Sequence, residues 1–349
     1  MALRASVARR TIATPVILCL ILLAFAVLAL AVGSKPFNQT IIEIFLRVIL
    51  VVGLYVFVGN SGVISFGHIG FTCLGAYAAA WLTIPPMMKQ ISMPGLPEWL
   101  MQMQLPYGVA AGIAAVFAAV FALIFGRILM RLSGIAASIA TFAMLAMINT
   151  IYSNWESVTA ATSSVVGIPI VRTIWPYLIG AMITVFVAWA HAISRAGLAL
   201  RAARDEPTAA AASGVDIPRE RLIAFTLSGA IMGLGGALFA HSIGVVTPDT
   251  FYLGLTFTTL SMLVVGGMGS LSGAVLGVVV LSSLIQALRW LEKGVQIGTS
   301  TISIPNGLQE IALGVVMIVI LIYRPAGIMG NAELIWPRAR PEKPDQGSR

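Results

Sequence analysis

Of the chain's 349 residues 58% are hydrophobic and only 10% charged, against roughly 25% charge in soluble domains, which excludes a water-soluble fold. The formal charge of +8 does not point to nucleic acid, because the basic residues sit in short segments between apolar runs and so carry topology information. Cys19 and Cys73 both lie in apolar runs, and no paired Cys or His spacing accompanies them; they read as packing residues, with no disulfide or metal site expected.

A helix needs about 20 apolar residues to cross ~30 Å of hydrocarbon, and backbone groups in lipid must be satisfied internally. The expected fold is therefore all-α, a polytopic membrane protein with about ten transmembrane helices. In chain order the spans fall near residues 16–33, 41–58, 66–84, 106–126, 133–151, 174–194, 221–242, 253–268, 272–291 and 306–323. The first follows Arg4, Arg9 and Arg10 and superficially resembles a signal peptide. Its apolar stretch, Pro15 to Val32, is longer than a usual signal core and lacks a convincing small-residue cleavage site, so it reads as a span.

If the N-terminus is cytoplasmic, 15 of the 21 basic residues fall inside, five fall outside and Arg47 lies within a span. That bias predicts both termini in the cytoplasm. The chain then divides into a cytoplasmic segment at 1–15, a transmembrane domain at 16–330 carrying a cytoplasmic loop at 195–221, and a tail at 331–349. The tail is polar and proline-containing, and predicted to be disordered. Long outside connections are expected at 85–105 and 152–173, with Trp99, Trp155 and Trp175 near the interface as belt anchors.

Three features stand out from this apolar background. The first, Gly59 to Phe71, reads GNSGVISFGHIGF. Asn60, Ser61, Ser65, Gly67 and His68 are candidate substrate-pathway residues here, because a broken helix frees backbone groups, which membranes tolerate where they line a cavity, and a half-helix N-terminus can hold a carboxylate. A tight turn between spans, with glycines for packing, fits the same residues. His68 has two readings, a proton carrier or substrate contact and a hydrogen-bonded interface histidine; the second is favoured because no acidic residue is near in sequence. Upstream, Glu43 and Arg47 stand four apart on one helix face, which favours structural pairing over an ion relay.

The second feature is the inside loop, RAGLALRAARDEPTAAAASGVDIPRER from Arg195 to Arg221. Ala199 to Arg204 and Thr208 to Ser213 are rich in helix formers, Asp205 and Glu206 precede Pro207 at a plausible helix start, and Gly214 supplies a stop. A plain connection rarely needs ~25 residues with helical signals of their own. Docking of a cytoplasmic partner is one reading and a lipid-headgroup helix the other; the acids Asp205, Glu206 and Asp216 weaken the lipid reading. The third feature, GGMGSLSGAVLG from Gly266 to Gly277, loosely echoes the first and adds Gly266, Gly267 and Gly269 to the pathway candidates. Finally, Arg324 and Pro325 end the last span without implying function.

Taken in order, these segments resemble the branched-chain amino acid ABC transporter permeases of the LivM type. That family's GxxGxxSxGH stretch is matched by Gly59, Gly62, Ser65, Gly67 and His68. Its LRAxRxxExxAxxxG loop is matched by Leu200, Arg201, Ala202, Arg204, Ala209 or Ala210 and Gly214, with Glu206 and Pro207 near its acidic position. Its GGxGxxxGxxxG is matched by Gly266, Gly267, Gly269, Gly273 and Gly277, and its terminal RPxGLxG by Arg324, Pro325, Gly327, Ile328 and Gly330.

The resemblance implies one membrane subunit of an importer in the bacterial inner membrane. Its partners would be a second permease of the LivH type, two cytoplasmic ATP-binding subunits and an extracytoplasmic solute-binding protein. Arg201, Arg204, Asp205, Glu206, Pro207 and Gly214 would form the ATPase-coupling loop. The chain contains no GxxxxGK[ST] phosphate loop, so ATP would be hydrolysed by the partners and no cofactor is expected in this chain. Within the family, urea and aromatic acids are alternative substrates. From other classes, an ion-coupled secondary transporter would draw only on Glu43, Arg47, His68, His191 and His241, a thin set. A membrane enzyme lacks any HExxH motif or paired intramembrane carboxylates.

Overall fold

The computed structural model describes residues 2–292, 295–297, 300–302 and 308–334. The described chain is helical except for two short antiparallel ladders. In order come α1 (Ala2–Val32), α2 (Lys35–Ser61), α3 (His68–Thr83), α4 (Pro86–Ser92), α5 (Glu98–Gln102), α6 (Tyr107–Leu129) and α7 (Gly134–Asn154). Next follow α8 (Glu156–Thr159), β1 (Val165–Val166), α9 (Trp175–Ile193), α10 (Arg195–Asp205), α11 (Pro207–Ala212) and α12 (Ile217–Ile243). The chain continues through β2 (Val245–Val246), a 3-10 turn at Pro248–Phe251, α13 (Leu253–Gly266), α14 (Leu271–Glu292), β3 (Val295–Ile297), β4 (Ser300–Ile302) and α15 (Leu308–Tyr323). Strand β1 pairs with β2, and β3 with β4.

Among the described residues eight helices are long and apolar enough to cross a membrane. The other two segments expected to span are α3 and α15, helices of 16 residues each. Helix α1 extends through most of the segment expected to precede the membrane, with its apolar part from Ile12 to Val32. Local chemistry sets the ends. Gly62 stops α2 in the left-handed conformation (φ 71°), donating its N–H to the Val58 carbonyl, and Gly244 stops α12 in the same way (φ 81°). The Asp216 carboxylate accepts from the Arg219 N–H at the start of α12, a side-chain cap for an otherwise orphan donor.

Burial ranks the helices. The apolar window of α2 is 89% buried, whereas those of α1, α6 and α7 are 28% buried, so α2 is central and the latter three present broad apolar faces outward. Helix α12 packs against α2, α3 and α6, while α9, α13 and α14 also pack on α2. The α12 contacts are made by small residues. A Cβ at Gly236 would lie 2.0 Å from the Thr72 carbonyl oxygen, one at Gly75 2.1 Å from that of Gly233, and one at Gly233 2.4 Å from the Ala118 Cβ. The Ser228 hydroxyl adds a 2.6 Å bond to the Gly53 carbonyl.

The long connections expected at 85–105 and 152–173 carry short helices, α4 and α5 in the first, where Pro86 starts α4 and Pro97 precedes α5, and α8 in the second. They form a cap over one end of the bundle. Inside it the buried Lys89 ammonium donates to the Leu100 and Met103 carbonyls, and burial lowers its pKa. The Gly95 N–H donates to the Ser157 carbonyl, and the Trp81 indole to that of Val158. Trp99, Trp155 and Trp175 are exposed at this end.

The close α3–α12 approach yields a paired prediction. Gly236→Ala is expected to destabilise the protein by about 1–3 kcal/mol through overpacking against backbone, read as a lower thermal midpoint in detergent. Gly112→Ala on α6, where a new Cβ meets nothing within 4 Å, should leave the midpoint unchanged or higher. Equal midpoints for the two variants would remove the packing assignment.

Candidate functional site

The three sequence features meet at the end of the bundle opposite the cap. Helix α10 begins at Ser194, whose hydroxyl accepts from the Gly197 N–H at 3.1 Å. Helix α11 begins at Pro207, with the Glu206 carboxylate accepting from the Thr208 N–H at 3.3 Å. Gly214, at φ 86°, ends that turn with open space around it. Leu200 and Ala203 bury one face of α10, whereas Asp205, Glu206, Pro207 and most of α11 are exposed.

From α10, Arg204 reaches into the bundle. Its Nη1 donates to the Gly59 carbonyl at 2.6 Å, an acceptor left open by the end of α2. Its aliphatic stem covers Gly62, where a Cβ would fall 2.6 Å from the Arg204 Cγ. The same guanidinium lies 3.7 Å from the Cβ position of Gly269, and the Met268 carbonyl oxygen lies 2.7 Å from that of Gly59. Arg201 donates to the Ala192 carbonyl at the end of α9. Asp205 pairs only loosely with Arg204, at 3.8 Å. Thus the loop is bolted to the broken segment by one side chain, and small residues make room for it.

Past Gly62 the chain is pinned by α7. The Ser138 hydroxyl donates to the Ile64 carbonyl at 2.6 Å, and the Phe66 N–H donates to the Thr141 hydroxyl at 3.3 Å. A Cβ at Gly67 would sit 2.4 Å from the Thr141 carbonyl oxygen, so that glycine permits the contact. His68 is fully packed. Its Nδ1 is 2.7 Å from the Ser65 hydroxyl, and Phe57, Phe71 and Phe225 surround the ring. This geometry matches the hydrogen-bonded histidine of the two sequence readings. Asn60 donates to the Val56 carbonyl at 2.9 Å and Ser61 accepts from the Val63 N–H; both are buried. A narrow crevice between α2, α3, α12 and α13 touches Ser65 and His68.

Gly266, Gly267 and Gly269 are occupied by the chain itself. A Cβ at Gly266 would fall 2.0 Å from the Gly273 carbonyl oxygen, and one at Gly269 1.9 Å from Asn331 Oδ1. Residues 324–334 lie across this turn as a strap. The Ile328 N–H donates to the Val265 carbonyl and the Met329 N–H to that of Gly266. Glu333 then caps α14, accepting from the Leu271 N–H (2.7 Å), the Ser272 N–H (3.0 Å) and the Ser272 hydroxyl (2.7 Å). A carboxylate at a helix N-terminus satisfies orphan donors and the helix dipole together. Residues 331–334 are therefore ordered, whereas the rest of the tail expected to be disordered, 335–349, lies outside the described residues.

A second site, absent from the sequence candidates, opens at the cap end. A cavity of about 800 Å³ is lined by α2, α12, α13, α14 and residues 170–172. Its charged lining comprises Lys35, Glu43, Arg47, Arg172 and Arg289. Glu43 accepts from Arg47 at 3.4 Å, and from Arg289 at 3.1 Å; the Arg47 guanidinium also donates to the Ser282 hydroxyl at 3.1 Å. The Glu43–Arg47 pair was legible from its spacing, but the participation of Arg289, 246 residues away, was not. An arginine inside an apolar span was the signal available for this site. Among the described residues no three His, Cys, Asp or Glu side chains gather as a metal site.

The family described as "Branched-chain amino acid transport system / permease component" matches residues 37–321. The chain is similar to LivM, a high-affinity branched-chain amino acid transport system permease protein of Salmonella typhimurium. The two are 29% identical over 174 residues, 49% of this chain and 36% of LivM. LivH of the same organism, described in the same words, is 26% identical over 153 residues, 44% of each chain. A probable LivH of Methanocaldococcus jannaschii is 35% identical over 83 residues, 23% of this chain and 25% of that protein. These matches thus span less than half the length of each relative. No solved structure matches the chain.

The strap is tested by Glu333→Ala, which removes the three bonds at the start of α14. We expect a loss of about 1–2 kcal/mol, measured by thermal unfolding, and faster proteolytic release of the residues beyond the strap. Unaltered stability and cleavage would remove Glu333 from this role.

Proposed function

The chain belongs to the family of permease components of branched-chain amino acid transport systems, and from that premise we propose that it is one membrane-spanning half of an ATP-driven importer. Its substrates are branched-chain or related amino acids. The observation that carries this reading is the Arg204 joint, which ties α10, and through it the largely exposed α11, directly to the end of α2, the most buried of the eight long apolar helices. A structural connection has no need of that arrangement, but a lever does.

In this reading the loop end faces the cytoplasm. Partner ATPases engage the exposed α11 and its flanks, Asp205, Glu206, Pro207 and Gly214. Closure of the ATPases displaces α10, and Arg204 passes the displacement to Gly59 and to the Met268–Gly269 turn, so that the bundle changes its access. The chain itself performs no chemistry; ATP is hydrolysed on the partners. A second permease of the LivH type completes the pathway, and an extracytoplasmic solute-binding protein delivers solute at the cap end. The Ser65 and Gly67 segment, braced by α7, serves as the hinge of the broken α2–α3 pair, and the cell membrane is the expected location.

With its cognate partners present, the chain should support vanadate-sensitive uptake of labelled leucine that disappears when the ATPase genes are omitted. Uptake by this chain alone in liposomes overturns the importer reading in favour of ion coupling. Urea or aromatic-acid uptake without leucine uptake moves the substrate within the family.

The joint has its own test. Arg204→Ala and Glu206→Lys should leave ATP hydrolysis running while uptake falls toward background. Gly214→Val should do the same, because the left-handed backbone there costs a non-glycine residue about 1–2 kcal/mol and distorts the end of α11. If uptake stays proportional to hydrolysis in all three, coupling occurs elsewhere.

A further inference from the structure

The cap-end cavity holds charges that the coupling reading does not use. Arg47 lies about 18 Å along α2 from Lys35 at 1.5 Å per residue, well into the hydrocarbon if α2 spans it. Ionisable groups at such depth face a cavity or a partner and mark function. Here they do both. Glu43 lies between the Arg47 and Arg289 guanidiniums at 3.1–3.4 Å, longer than a usual charge-assisted hydrogen bond. Arg47 spends one further N–H on Ser282, and a guanidinium has five N–H donors in a fork that matches a carboxylate.

The rest of the lining is amphiphilic. Leu46, Leu50, Phe239, Leu255 and Ile285 supply an apolar wall, and Ser242 and Thr258 add hydroxyls. Among the described residues, the charged side chains lining the cavity are Lys35, Arg47, Arg172 and Arg289 against Glu43. Such a lining attracts an anion, and its greasy wall selects one attached to an apolar body. The volume of about 800 Å³ lies within the range of small-molecule sites and is larger than a single small acid needs, as suits a vestibule.

We propose that this cavity is a binding site for the carboxylate of a small apolar solute, held by Arg47 and Arg289, with Glu43 as the internal carboxylate that the solute joins or displaces. The choice of solute rests on the importer reading, but the site does not. A zwitterion such as leucine and a simple carboxylate such as isocaproate share the recognised group. They differ in whether Glu43 also takes an ammonium.

The test uses the full chain in nanodiscs, with its thermal midpoint measured against leucine, isocaproate and isoamylamine. Stabilisation by either carboxylate, with none from the amine, is expected. Arg47→Gln and Arg289→Gln should each raise the concentration needed by roughly tenfold or more, the equivalent of losing a hydrogen bond to a charged group. Thr258→Trp, which narrows the cavity and leaves the ion network in place, should weaken the effect even if the arginine variants fold poorly. A carboxylate effect confined to leucine assigns the ammonium to Glu43; an equal effect of isocaproate assigns recognition to the arginines alone. No stabilisation by either acid, stabilisation by the amine alone, or full stabilisation of Thr258→Trp overturns the proposal. Failure of ATP-driven uptake with binding retained would sink the importer reading and leave the site standing.

Discussion

Everything in this bundle depends on how closely α12 approaches α3 and α6. Lipid offers apolar helices no hydrophobic gain for leaving it, so association rests on van der Waals contact and hydrogen bonds between surfaces able to meet closely. Gly229, Gly233 and Gly236 on α12 meet Ala122, Ala118 and the Thr72 carbonyl, and Gly75 meets Gly233 in return. A side chain at those positions would hold the helices apart. Because they do meet, α2 and α3 are enclosed, and α1, α6 and α7 are left with apolar faces turned outward.

That enclosed centre gives α2 a double role. Its final turn accepts Arg204 at Gly59, while its first half carries Glu43 and Arg47 into the cap-end cavity. Glu43 and Gly59 are about 24 Å apart along one helix at 1.5 Å per residue. Arg204 on α10 and the cavity wall are thus joined through a single packed helix. Helix α14 runs parallel to this arrangement in function. Its first turn is fixed by Glu333 and its last turn supplies Arg289 to the cavity. Both helices thus run from the loop end of the bundle to the charged cavity.

The glycine-rich segments make different physical uses of one composition. Gly62 and Gly244 adopt the left-handed backbone that ends a helix. Gly59, Gly67 and Gly269 admit neighbouring atoms where a Cβ would collide. For Gly67 and Gly269 the neighbour is distant in sequence, and Gly59 meets Met268 as well as Tyr55 of its own helix, so composition alone could not separate these roles from lining a pathway. His68 illustrates the same limit. Its contacts with Ser65 and Phe71 are local, three residues away on either side, but Phe57 and Phe225 reach the ring only because α2, α3 and α12 close.

Legible along the chain was whatever each segment must satisfy alone. Crossing hydrocarbon demands a run of apolar residues, so the positions of the long helices were legible; local caps were legible too, which is why Pro207 and Gly214 bracket α11 and its turn as expected. The Glu43–Arg47 contact followed from helical spacing. Tertiary structure decided what depends on which faces meet. It brought Arg289 to Glu43, carried Arg204 onto Gly59, set Glu333 from a segment expected to be disordered onto the start of α14, and opened a cavity where no motif lay. Those outcomes depend on the approach of helices far apart in the chain, and the small residues that permit it state only that something comes close, not what.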